Sequence, residues 1–177
     1  MTWPTATRIE TERLTLEPLS PGHAEEMVTV LAAPELYAFT GGEPPTEGIL
    51  RTRYSRQAIG HSPADDAGWV NWIIRERTSQ DVAGYVQATL TVEREELVAD
   101  VAWLVTPSAQ HRGIASEAAT AMLAWLLERQ VPVVRALIHP EHHASGRVAQ
   151  RLGLLSTAAL VDGESVWELR RDTSTTP

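Results

Sequence analysis

Apolar positions along the chain follow two rhythms. RLTLEPL, residues 13–19, alternates with Leu14 and Leu16 on one side, and Pro18 ends it as a proline ends a strand. Ser20 and Pro21 then read as a helix N-cap and first helical position, leading into HAEEMVTVLAA as far as Pro34. Ile49, Leu50, Arg53, Tyr54, Gln57 and Ala58 recur at three- and four-residue spacing, which predicts a second helix over 46–59, closed by Gly60. From Trp69 the rhythm becomes β. WVNWIIRE, VAGYVQATLTVE and LVADVAWLV, separated by the polar turns RTSQD and EREE, predict three consecutive antiparallel strands. The apolar run over 114–130 predicts a long buried helix with Ile114, Ala118, Met122, Trp125 and Leu126 along one face and Pro132 beyond its end. VVRALIH predicts a strand, 144–152 a shorter helix closed by Gly153, and LLSTAALV with ESVWELRR a final hairpin about Asp162 and Gly163. A mixed α+β domain follows, with about seven strands and about four helices.

Composition narrows the chemistry. At 177 residues the chain fits a single domain spanning 1–177, with a core over about 8–171 and short flexible termini. It contains no cysteine, which removes disulfides, zinc–thiolate sites and thiol nucleophiles. All fifteen basic residues are arginine, so a Walker phosphate loop, which requires lysine, is excluded. The net charge of −8 argues against a nucleic-acid partner and suits a cationic one, although such a charge also serves plain solubility. The N-terminus carries no apolar leader and no run approaches membrane-span length, so no membrane partner and a cytoplasmic location are expected.

AQHRGIASEAA, residues 109–119, stands out. A short loop of small residues between a strand and a long helix presents free backbone N–H groups to an anion. Gly113 leaves room for a phosphate to approach the backbone, Ala115 keeps the next position small, and His111 and Arg112 add positive charge. The start of this helix reads as basic, against the usual preference for acidic side chains there. A permissive turn would explain the glycine equally well. No GxGxxG is present, so a dinucleotide fold is not indicated.

Gln110-x-x-Gly113-x-Ala115 resembles the QxxGxG/A signature of the GCN5-related N-acetyltransferases, and the likeness extends further. AWLVTPSAQHRGIASEA resembles their fourth strand and acetyl-CoA loop, while TERLTLEPL and HPEHHASGRVAQRLGL resemble segments of the branch containing ribosomal-protein N-terminal acetyltransferases. These segments occur in the family's order over residues 8–171. The resemblance implies a mostly antiparallel sheet whose fourth and fifth strands splay apart. It also implies direct transfer of acetyl from acetyl-CoA to a primary amine, within a ternary complex. In that reading Leu104 and Val105 lie beside the pantetheine arm, Val105 N–H is the oxyanion donor, and backbone N–H groups of Arg112, Gly113, Ile114, Ala115 and Ser116 hold the pyrophosphate.

Amine attack on a thioester needs a deprotonated amine, an oxyanion donor and a stabilised thiolate. Asp100 falls where many relatives carry a glutamate and is a candidate base; the bland alternative is the solvent-facing member of a strand alternation. Glu43 is a second carboxylate on the acceptor side. The family's tyrosine, four residues before the glycine of the LG motif, is replaced by Ala149, and Ser145 takes the position of the serine used by ribosomal-protein-type relatives. Ser145 is thus the candidate donor to the departing sulfur, and helix capping is its alternative role. HPEHH gathers three histidines and Glu141, but adjacent His142 and His143 do not reach one ion together, so no metal is expected. His142 instead stands where relatives place an asparagine that contacts the cofactor. Most tryptophans read as core. Tyr37 and Phe39, in PELYAFTGGEPP, fall in the family's acceptor loop, as substrate contacts or as loop anchors. The acceptor is expected to be a small-molecule amine or a protein N-terminus, and the family's habits allow a homodimer. The rival class is an acyl-CoA-binding sensor without turnover.

Overall fold

The computed structural model describes residues 2–171; the expected flexible termini lie in part outside them, at Met1 and residues 172–177. In chain order the elements are β1 (Ile9–Glu10), β2 (Leu14–Pro18), α1 (Ala24–Val30), α2 (Glu47–Gln57), β3 (Gly68–Glu76), β4 (Val82–Glu93) and β5 (Glu96–Val105). These are followed by α3 (Ile114–Glu128), β6 (Val133–Ile138), α4 (His143–Arg151), β7 (Leu155–Val161) and β8 (Glu164–Arg170).

One sheet of eight strands runs β1-β2-β3-β4-β5-β6-β8-β7, antiparallel throughout except for β5 against β6. The strand beyond the expected seven is the two-residue β1, too short to show an alternation. Leu14 and Leu16 are fully buried, as their alternation requires. The predicted first helix is broken up: Pro21–His23 forms a 3-10 turn, and α1 is only seven residues long. Thr46 caps α2 by accepting from the Ile49 N–H at 3.3 Å. The Asp162-Gly163 turn has φ of 50° and 84°, positive at both positions as a tight two-residue hairpin demands.

The two faces of the sheet carry different loads. Leu14, Leu16, Val70, Val86, Ala99 and Val101 pack with Ile114, Ala118, Met122 and Leu126 of α3. Within this core Trp72 and Trp125 meet edge to face, with centroids 5.0 Å apart. On the opposite face Ile73 packs with Met27 and Val30 of α1 and with Leu50 and Tyr54 of α2, while Tyr85 and Leu104 lie against that cluster. Burial of apolar area on both faces is what fixes the strands in register. No helix among the described residues is long and apolar enough to cross a membrane.

Candidate active site

The site begins where two strands part. β5 and β6 pair only at Val98–Val133, Ala99–Val134 and Asp100–Arg135, after which β5 runs on to Val105 and β6 to Ile138 without further pairing. The other edge of β5 stays bonded to β4 as far as Gly84–Val105. Beyond Asp100, the edge of β5 that faces β6 therefore has no ladder partner for its backbone groups, which favours an extended ligand lying alongside. A cleft of about 1340 Å³ opens there, lined by Leu104 and Val105, by Leu137 of β6, by the loop after β5 and by the segment before α2.

Gly84 sets the shape of this strand end. Its φ is +157°, and a Cβ there would overlap the Leu104 carbonyl and lie 2.9 Å from Val105 Cα. Only glycine lets β4 come this close to the residues beside the cleft.

The loop after β5 is tied down from several directions. Gln110 Nε2 donates to the Val105 carbonyl at 3.0 Å, folding the loop back on its own strand. His111 and Gly113 both have positive φ, 60° and 77°. Gly113 is the N-cap of α3 and supplies no capping side chain, so the first-turn N–H groups of Ile114, Ala115 and Ser116 remain available to a ligand at the dipole's positive end. Gln110, His111, Gly113, Ile114, Ala115 and Ser116 all line the cleft.

Arg112 does not line it. Its guanidinium makes a two-pronged pair with Glu76 of β3, at 2.8 and 2.6 Å, so its charge is committed to that carboxylate. The expectation that Arg112 brings side-chain charge to an anion is corrected accordingly. Arg13 completes the brace by donating to the Arg112 carbonyl at 2.8 Å and to Glu117 at 2.6 Å. Glu117 corrects a second expectation, because the first turn of α3 is acidic rather than basic. Burial pushes its carboxyl pKa up, but hydrogen bonds from Thr11 and Arg13 outweigh this and hold it below the usual range.

Arg147 and Arg151 of α4 also line the cleft, and Arg151 Nη1 lies 3.2 Å from Ser116 Oγ. Sequence reasoning missed this pair. Their i, i+4 spacing in ASGRVAQR was the available signal, since it places both on one helix face.

The structure does not bring Asp100 to the cleft. It lies on the last paired rung of β5 and β6, where Arg135 grips it through Nε at 3.0 Å and Nη2 at 3.2 Å. Arg135 simultaneously holds Glu93 at 2.6 Å. A carboxylate engaged by an arginine on the closed side of the splay is poorly placed to take a proton from an amine.

Ser145 does line the cleft. His142 is the N-cap of α4, and its Nδ1 lies 3.4 Å from Ser145 N while its Nε2 lies 3.2 Å from Ser145 Oγ. Phe39 stacks on His142 with centroids 4.5 Å apart and rings 26° from parallel, and meets His139 at 5.2 Å. Burial, followed by the fields of His139 and His143, lowers the His142 pKa below the usual histidine value. Among the described residues no group of three or more His, Asp or Glu is arranged to hold a metal.

Tyr37 donates its hydroxyl to the Leu31 carbonyl at 2.9 Å, anchoring the loop while its ring lines the cleft. Glu43 is exposed and also lines the cleft, which puts it at the rim. Trp103 is a partly buried cleft residue as well, whereas Trp125 lies in the core and Trp72, though fully buried, borders the cleft from within.

Solved structures share this architecture. An acetyltransferase of the GNAT family from Bacillus anthracis has a TM-score of 0.75 at 18% identity, over 93% of this chain and 98% of that one. RimL, the ribosomal L7/L12 alpha-N-protein acetyltransferase in complex with coenzyme A, has a TM-score of 0.76 at 15% identity, over 95% and 100%. The ribosomal-protein-S5-alanine acetyltransferase from Vibrio fischeri has a TM-score of 0.76 at 13% identity, over 96% and 100%. These likenesses concern the fold. Comparison with curated protein sequences finds no match. The sequence model of the acetyltransferase (GNAT) domain matches residues 13–155, most of the chain, and the splayed strands and glycine-bearing loop just described fall within that span. The chain therefore belongs to the GNAT family of acetyltransferases.

Proposed function

We propose that the protein transfers acetyl from acetyl-CoA to a primary amine, within a complex that holds donor and acceptor together. The observation that carries this reading is the parting of β5 and β6 after Asp100–Arg135. It leaves one strand edge free beside the unclothed N-terminus of α3, a combination that suits a long ligand with an amide-bearing arm and a pyrophosphate. Acetyl-CoA would supply the activated acyl group as a thioester. RimL, of the same fold, is a coenzyme A complex.

The chain's own residues divide the task. The first-turn N–H groups of α3 bind the pyrophosphate, with Gly113 keeping the approach open, and Arg147 and Arg151 of α4 supply the side-chain charge that Arg112 does not. The Leu104–Val105 backbone aligns the arm, and Val105 N–H is the donor aimed at the acyl oxygen. Ser145 offers a hydroxyl to the departing sulfur. The amine's proton leaves through the rim, where Glu43 stands, rather than through Asp100.

The acceptor enters from the side of Tyr37, Phe39 and Glu43. It is a small-molecule amine or a protein N-terminal α-amine, the latter in keeping with the activity named for the two ribosomal-protein acetyltransferases of like fold. Thiol release from acetyl-CoA, measured across a panel of amines and short peptides with mass spectrometry of the products, tests the reading. An acetylated amine supports it. Tight acetyl-CoA binding without any product from the panel would instead assign a sensor.

A further inference from the structure

Phe39 and Ser145 both line the cleft but come from different segments. Phe39 belongs to the segment before α2, whereas Ser145 lies in the first turn of α4, and the ring of His142 stands in contact with both. Phe39 is 38% exposed, so its contact with His142 is made at the surface of the cleft and not in a core that would hold it there regardless.

The ring has a defined proton arrangement. A backbone N–H can only donate, so the 3.4 Å contact from Ser145 N makes Nδ1 the acceptor and leaves the proton of the neutral imidazole on Nε2. Nε2–H then faces Ser145 Oγ at 3.2 Å and donates to it. A hydroxyl whose oxygen already accepts one bond keeps its own hydrogen free for a different partner, and Ser145 lines the cleft. Stacking under Phe39 shields part of the half-buried His142 ring from water, and burial is the leading cause of its lowered pKa, which favours the neutral, donating form.

We propose that Phe39 and His142 are positioning residues: Phe39 clasps the His142 ring, and the ring turns the Ser145 hydroxyl hydrogen toward the leaving sulfur. The inference rests on the acetyl-transfer reading. It makes Phe39 a part of the chemical step rather than a wall of the acceptor pocket, and links an acceptor-side loop to the leaving group. No proton passes through His142; it donates one hydrogen bond and retains its hydrogen throughout.

The test separates binding from turnover. Phe39→Leu should lower kcat about tenfold while acetyl-CoA affinity stays within about twofold, and Phe39→Tyr, which keeps the aromatic face, should recover most of the loss. Ser145→Ala should slow turnover comparably, and adding Phe39→Leu to it should change kcat by no more than about twofold, because the two residues act on one bond. A second readout needs no turnover. In nitrogen NMR of the free protein, the histidine signal lost in His142→Asn should report the Nε2–H form in the wild type and a mixture of tautomers in Phe39→Leu. Losses that multiply in the double variant, a Phe39→Leu effect confined to the acceptor KM, or an unchanged His142 tautomer would each overturn the clasp. If the wild-type protein does not bind acetyl-CoA in calorimetry, the acetyl-transfer reading fails, and this inference with it.

Discussion

Gly113 has two demands placed on it. Its φ of +77° is a conformation that L side chains adopt at about 1 kcal/mol or more, and it lines the cleft at the start of α3. A Cβ would sit 3.3 Å from Arg13 Nη2, the mobile end of a flexible side chain, so a substitution can be accommodated structurally at modest expense. Gly113→Trp should therefore leave a folded protein that no longer binds acetyl-CoA; an unchanged calorimetric affinity would contradict the proposed pyrophosphate site. Asp100 gives the opposite expectation. Because its carboxylate is held by Arg135 outside the cleft, Asp100→Asn should lower thermal stability yet leave the pH dependence of the rate as it was. A displaced low-pH limb would restore it as the base. The likeness to relatives with a glutamate there suggested the base role, and strand alternation, which tells only which residues share a face, could not show which arginine waits across a parallel rung. Arg112 illustrates the same limit: its proximity to Gly113 was legible, whereas Glu76, thirty-six residues away, was not.

Among the elements, the strands were the most legible. Three long antiparallel runs and a closing hairpin could be read from alternation and from Asp162-Gly163, since each needs only local pattern. What stayed hidden depends on contacts between distant segments: the two-residue β1, the 3-10 turn before α1, and the close approach of β4 to the end of β5. That approach yields a prediction. Gly84→Ala must push the Leu104 carbonyl away, so it should cost about 2 kcal/mol or more of stability and weaken acetyl-CoA binding at the same time. Thermal unfolding and calorimetry on one preparation would show it. Loss of stability with affinity intact would mean that the shape of the strand end does not matter to the ligand. The helix α4 shows the reverse relation. Arg147, Arg151 and Ser145 were all visible as letters, but only the structure puts them on the wall of one cleft.

The molecule as a whole relies on carboxylates paired with arginine. Burial pushes Glu17 and Glu117 up, yet Arg75 and His23 for the first, Thr11 and Arg13 for the second, bring both below the ordinary value; Glu26 and Glu93 are lowered chiefly by their bonds to Arg75 and Arg135. A carboxyl whose folded pKa lies below its unfolded one stabilises the fold above the unfolded value and loses that contribution as pH falls through the folded value. Stability should therefore hold from neutrality down to about pH 5 and decline below about pH 4. Glu117→Gln should remove about 1–2 kcal/mol at pH 7 and less at pH 3, as read from denaturant unfolding at the two pH values. An equal loss at both would show that the charge of Glu117 is immaterial.

The parting of β5 from β6 has a mechanical side. Among the described residues only three backbone ladder pairs join β1–β5 to β6, β8 and β7, so the eight-stranded sheet is in effect two panels sharing a short hinge, with α3 lying between them in sequence. A ligand arm laid into the gap would act as a temporary batten across that seam. Amide hydrogens of β6 and β8 should then exchange with solvent more slowly when acetyl-CoA is bound than when it is absent, although most of them never touch it. The cofactor would be both the donor of a group and the missing plank of the sheet that receives it.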